Sequence, residues 1–230
     1  MFGSSFSVED ATSVTFALEV ITAVLSLLFF RKYSDTFLKY LPLLLWYTVG
    51  NELVAKWYGL NVEPNNTVFY NVYRILEFTF YLLLYYHIAE TARHKKTALY
   101  FLFIYYASVL MSLFLQDFRT EYFAYPYFVG SVFVSVCIIL YMSEILNSEK
   151  VLFVTRTFIF WVSTGAFIYY LISVPFKIMQ RYFNNGALPQ NLVDDNSDIP
   201  YIYMANIAVV FIYYLILSTG LIWSKAAWKY

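Results

Sequence analysis

The chain has 230 residues, of which 61% are hydrophobic and only 13% charged, and its formal net charge is zero. Soluble domains carry about 25% charged residues, and apolar runs of 18 or more recur here, so the composition excludes an ordinary soluble domain. It points instead to an all-α, polytopic membrane protein. A neutral chain gives no electrostatic footprint for nucleic acid, and the single cysteine, Cys137, excludes an internal disulfide and a cysteine-built metal site.

Seven transmembrane helices are expected, near residues 12–30, 36–57, 67–89, 97–115, 122–146, 151–174 and 199–223. They form a single domain over residues 1–230, with no soluble domain. The start, MFGSSFSVED, is acidic and has no basic n-region, so the first apolar run reads as a retained helix. Basic residues gather at one set of connections: Arg31, Lys32 and Lys39, then Arg93, Lys95 and Lys96, then Lys150, then Lys225 and Lys229. The other set is acidic, with Glu9, Asp10, Glu63, Asp117, Glu121, Asp194, Asp195 and Asp198, against Lys56, Arg119, Lys177 and Arg181. The positive-inside rule then puts the N-terminus outside and the C-terminus inside.

In the first span, Thr12, Thr15, Glu19, Thr22 and Ser26 follow the i, i+3, i+4, i+7 rhythm of one helix face. In the second, Glu52 and Lys56 stand four apart with the acid first, the better order for a pair. The third span is the least suited to lipid. On a helix, its Tyr70, Asn71, Arg74, Glu77, Tyr81 and Tyr85 share one arc, while Val68, Val72, Ile75, Thr79, Leu82 and Leu83 make the lipid side. A charge at the bilayer centre costs roughly 2.5–3.5 kcal/mol, so the charged arc must face protein or a wet cavity. In spans four and five, Ser108/Ser112 and Ser131/Ser135 mark close helix approach.

At ~1.5 Å per residue, Glu19, Glu52, Arg74 and Asn206 all sit about 10 Å deep from the outer end of their helices. With Asn51, Lys56, Asn71, Glu77 and Tyr81 they form the expected ligand-binding or ion-pair cluster. Glu19, Glu52 and Glu77 against Lys56 and Arg74 leave one excess negative charge, and Glu19 has no cation on its own helix. The alternative for such residues is interhelical glue, paired and buried with no ligand.

A weak internal repeat pairs Trp46-Tyr47-Thr48-Val49-Gly50 with Trp161-Val162-Ser163-Thr164-Gly165, and Phe80-Tyr81-Leu82-Leu83 with Tyr213-Tyr214-Leu215-Ile216. It would give a 3+1+3 plan with parallel halves, as in some small transporters.

The stretch Asn71-Val72-Tyr73-Arg74-Ile75-Leu76-Glu77-Phe78-Thr79-Phe80-Tyr81 resembles the N-x-Y-x-x-x-E-F-x-x-Y pattern of small, uncharacterised seven-helix membrane proteins of the Bacteroidetes. That resemblance implies a multi-pass protein of the bacterial inner membrane and no assigned activity.

No motif of catalysis is present: no HExxH, no phosphate loop and no nucleophile–base set. The seventh span has no lysine for a retinal Schiff base and no NPxxY. The acidic DDNSD run at 194–198 lacks the glycine and distal glutamate of an EF-hand loop. His87 and His94 are the only histidines and make no haem or zinc ligand set. The expected protein is therefore not an enzyme and carries no cofactor or metal. It is a binding or sensory module that sits in the lipid bilayer, takes a small polar ligand from the outer side and signals through a membrane or cytoplasmic protein partner. A small-solute or proton-coupled transporter is the alternative, and a structural subunit of a membrane complex is the next.

Overall fold

A computed structural model describes residues 8–184 and 198–225. The described residues are helical, with no strand, and contain seven long helices: α1 Val8–Leu28, α2 Leu41–Asn61, α3 Thr67–Ile88, α4 Ala92–Leu115, α5 Ala124–Leu146, α6 Phe158–Asn184 and α7 Asp198–Trp223. Five of them, α1, α4, α5, α6 and α7, contain stretches long and apolar enough to cross a membrane. Helices α2 and α3 hold the intrahelical charges Glu52, Lys56, Arg74 and Glu77.

The helix boundaries depart from the sequence pattern for local reasons. Residues Phe37–Tyr40 form a 3₁₀ turn before α2, in which the Leu38 N–H donates to the Thr36 hydroxyl at 3.3 Å. Pro42 then sits in the first turn of α2, where its missing N–H leaves no bond unmade. Residues Glu149–Arg156 are likewise 3₁₀, and α6 starts only at Phe158. At its other end α6 runs through Pro175, which lies inside the helix rather than ending it. The DDNSD run expected as an acidic loop lies largely outside the described residues.

Helix α7 packs between α1 and α6; α1 also packs on α2, α2 on α3, and α5 on α3, α4 and α6. Helix α4 stands outside this ring against α3 and α5, and its Phe103, Ile104, Met111 and Phe114 are exposed. So are Leu43, Leu60, Leu171 and Trp223 on other outer faces. An apolar exterior on this scale is foreign to a water-soluble domain.

Small residues bring the helices together. An added Cβ at Gly220 of α7 would lie 2.3 Å from the Trp161 Cβ of α6, and one at Gly130 of α5 would lie 2.7 Å from the Phe78 ring of α3. Phe78, wholly buried, is surrounded by Tyr105, Tyr127 and Tyr170 with ring centroids 5.2–5.7 Å away. The seam between α1 and α7 uses hydroxyls: Thr22 Oγ1 bonds Ser218 Oγ at 2.8 Å, and Thr15 and Thr22 donate back to the carbonyls of Ala11 and Leu18. The paired Trp-to-Gly segments have unlike surroundings, since nothing lies near a Cβ added at Gly50 whereas Gly165 touches Tyr213 and Ile216.

Not all of the α3 arc assigned to lipid is exposed. Leu82 is wholly buried, and the Thr79 hydroxyl bonds that of Tyr106 at 2.8 Å, because α4 and α5 cover that side. Of that arc only Val72 is exposed.

The basic end is fastened by two side chains. Lys32 donates to the carbonyls of Leu221, Ile222 and Ser224 at 2.6–3.0 Å, satisfying carbonyls that the end of α7 leaves without intrahelical partners. Glu144 of α5 accepts from the Glu90 and Thr91 N–H groups at 3.1 and 2.9 Å and contacts His94 Nδ1 at 2.7 Å, anchoring the start of α4.

Candidate functional site

At the acidic end the helices do not close. A cavity of about 550 Å³ lies between α1, α2, α3, α6, α7 and the α4–α5 connection. Exposed Val8, Thr12, Thr120 and Glu121 stand at its mouth. Glu19 enters from α1, Thr48 and Glu52 from α2, Tyr70, Tyr73, Arg74 and Glu77 from α3. Tyr169 and Lys177 come from α6, and Tyr203, Asn206, Tyr213 and Tyr214 from α7.

The deepest charges form one knot. The Arg74 guanidinium pairs with Glu77 through Nη1 and donates from Nη2 to the Tyr169 hydroxyl at 2.7 Å. The other Glu77 oxygen accepts from the Tyr73 hydroxyl at 3.1 Å, and Glu77 is only 2% exposed. The rings of Tyr73, Tyr127 and Tyr169 surround the guanidinium, with centroids 5.1–5.7 Å from its central carbon. Aromatic faces stabilise a cation by their quadrupole, more so away from water. Arg74 and Glu77 are three residues apart in one helix, so the pair forms locally and the surrounding helices only enclose it.

Nearer the mouth the wall is less committed. The Glu52 carboxylate accepts one bond, 3.3 Å long, from the Tyr70 hydroxyl. Glu19 is 7% exposed, and its Oε2 has no hydrogen-bond partner; nor do Arg74 Nε and Asn206 Oδ1. Each buried polar atom left without a partner costs about 1–3 kcal/mol, so these three residues of the wall keep hydrogen-bonding capacity that the bundle itself does not use.

Of the residues expected in the cluster, Glu19, Glu52, Arg74, Glu77 and Asn206 line this cavity together. Four others do not. Lys56 is exposed and makes no ion pair with Glu52. Asn51 is buried but off the cavity wall. Asn71 is a fastener: its Nδ2 donates to the carbonyls of Phe118 and Glu121 at 3.0 and 2.8 Å, and its Oδ1 accepts from the Phe123 N–H at 3.0 Å. It thereby holds the α4–α5 connection against α3. Tyr81 lies off the wall, its hydroxyl bonded to that of the lining residue Tyr213 at 2.5 Å.

The pattern missed Lys177, which replaces Lys56 as the second cation of the site. Ending the sixth span at 174 left it in a loop. The signal was present: Val162, Ala166, Tyr170 and Ser173 form a buried helical stripe, and Lys177 is its next member. The lining tyrosines 73, 169, 213 and 214 were lost in a chain with 24 tyrosines, where no single one stands out.

Below the cavity the bundle is packed. Phe78, Leu82, Leu84, Val162, Ala166, Leu217 and Leu221 are all at 0% exposure. The Tyr85 hydroxyl there meets Ser163 at 2.9 Å, while that of Tyr170 is left without a partner. Among the described residues no three His, Cys, Asp or Glu side chains converge as a metal site. No family model, no curated protein and no solved structure matches the chain.

Proposed function

We propose that this chain is a seven-span membrane protein, N-terminus out and C-terminus in, whose outward-opening cavity binds a small polar ligand and whose response passes to a protein partner at the basic face. The observation that carries it is the cavity itself, about 550 Å³ and walled by charged groups with unpartnered atoms. Binding pockets are typically 300–1,000 Å³ with a few placed polar groups. Charges serving only as interhelical glue would be packed against one another, with no void between them.

The orientation rests on the sorting of charge. The cavity mouth shares its end with Glu9, Asp10, Glu63, Asp117 and Glu121, while Arg31, Lys39, Arg93 and Lys96 mark the opposite end. Counted as spans, α2 and α3 turn Glu52, Arg74 and Glu77 inward, as intramembrane ionisable residues do. A bacterial inner membrane suits the sequence resemblance. With no long loop on the basic side, a signal would leave through a partner that docks there.

The test is thermal unfolding of the protein in nanodiscs against cationic, anionic, zwitterionic and neutral small solutes. A saturable stabilisation that disappears in folded Glu52→Gln or Glu19→Gln protein supports the reading. Earlier melting of the variants with no response to any solute turns the charges into glue and the protein into a complex subunit.

A second reading, a proton-coupled transporter, draws on the Tyr81–Tyr213 and Tyr85–Ser163 hydroxyl pairs, which continue from the cavity wall toward the basic end. The packed inner half would then be the closed side of an outward-facing state. It requires solute flux into proteoliposomes that Glu19→Gln abolishes; a tight binder without flux leaves the receptor reading.

A further inference from the structure

We infer that the cavity recognises an organic cation, a ligand bearing an ammonium or quaternary ammonium group, with Glu19 as its counter-ion. This rests on the cavity being a ligand site and names the chemistry it selects.

Charge apportioned over the wall leads there. The Glu77 carboxylate is occupied by Arg74 and Tyr73. Lys177 and Glu52 attract one another across the cavity. That leaves Glu19, which makes no ion pair among the described residues and takes a hydrogen bond from the Tyr214 hydroxyl. Glu19, Glu52 and Glu77 against Arg74 and Lys177 give the inner wall one surplus negative charge, and Glu121 at the mouth adds another.

Independent of charge, Glu19 lines the cavity at 7% exposure, and its Oε2 is buried with no partner, an acceptor in need of a donor. An ammonium group supplies both the donor and the missing positive charge, and a charge-assisted bond of this kind is about twice as strong as a neutral one.

The rest of the wall suits an organic rather than an inorganic cation. Tyr70, Tyr73, Tyr203, Tyr213 and Tyr214 line the same space, and aromatic rings around an acid are the chemistry that holds alkylammonium groups. No three carboxylates converge to coordinate a metal ion among the described residues. The acid-rich mouth, with exposed Glu121 beside the opening, concentrates cations in front of it.

The experiment compares choline with 3,3-dimethylbutan-1-ol, which has the same shape without the charge. Sodium acetate and glucose complete the panel. Each is titrated into the full chain in uncharged nanodiscs and read by thermal unfolding and calorimetry. Choline is expected to raise Tm saturably and the neutral isostere is not. Glu19→Gln should weaken choline at least about tenfold, the loss of one ion-pair contact away from water, since a quaternary ammonium has no N–H to donate. Because Glu19→Gln removes no volume, the variant should fold; Glu19→Asp, keeping the charge, should restore part of the affinity. Choline binding that is unchanged in Glu19→Gln overturns the assignment. Saturable binding of the isostere, acetate or glucose without choline overturns the cation and leaves the ligand site standing. A folded protein that responds to none of the four overturns both.

Discussion

At the basic end, the polar groups that fasten the bundle end on partners, with the Ser224 hydroxyl the buried one left without. Lys32 satisfies three carbonyls at the end of α7, Glu144 takes two backbone N–H groups and His94, and Tyr85 meets Ser163. At the acidic end, Glu19, Arg74 and Asn206 keep atoms with no partner around a void of about 550 Å³. The same chain therefore contains satisfied and unsatisfied polar interiors a few helical turns apart. Since unsatisfied groups cost stability, their concentration at one end is what a ligand site needs and a scaffold does not.

Four substitutions separate the packed half from the open half, and their effects differ in size. Phe78→Ala should cost about 3–5 kcal/mol, because it empties a fully packed aromatic cluster. Arg74→Ala should cost a similar 3–5 kcal/mol, but for another reason: Glu77 would be left buried and unpaired. Adding Glu77→Gln should recover much of the second loss and none of the first; equal behaviour in denaturant unfolding would erase the distinction drawn here. Gly220→Ala comes next, at about 1–3 kcal/mol, since its Cβ would collide with Trp161 and force α6 and α7 apart. A stability equal to wild type would mean that this helix pair is looser than its geometry.

Tyr81→Phe removes one of two bonded hydroxyls beside the cavity and should cost only about 0.5–1.5 kcal/mol, with ligand binding kept. If binding vanished instead, the hydroxyl pair would belong to the site. The smallest effect is at the mouth. Asp117 is fully exposed, and the Arg119 N–H and Thr120 hydroxyl at 2.9 and 3.0 Å hold its carboxyl below the usual range. A depressed carboxyl contributes order above its unfolded pKa, about 3.9, and loses it as pH falls through the lower folded value. The protection factor of the Arg119 amide should therefore fall only in strong acid and stay flat near neutrality.

Where helices lie was readable along the chain because apolar runs and charge sorting are local. The third helix kept its expected bounds within a residue, Thr67–Ile88 against 67–89. The sixth did not, because a proline read alone does not reveal that neighbouring helices let α6 continue through it to Asn184. Residue depth was also readable, since rise per residue is fixed: that alone placed Glu19, Glu52, Arg74 and Asn206 at one level. Which side each residue faces relative to other helices was not. Asn71 and Arg74 share a helical arc, yet one holds a loop and the other a carboxylate.

The amino-acid sequence by itself determined seven long helices, their charge-sorted ends and the presence of costly polar groups toward the acidic end, because each follows from composition and helical period. Only tertiary structure decided that Lys177 rather than Lys56 joins the site, that Asn71 anchors the α4–α5 connection, and that Glu19 keeps an unused acceptor over a cavity. Those outcomes depend on which helices become neighbours, and long-range packing leaves no periodic trace in the chain.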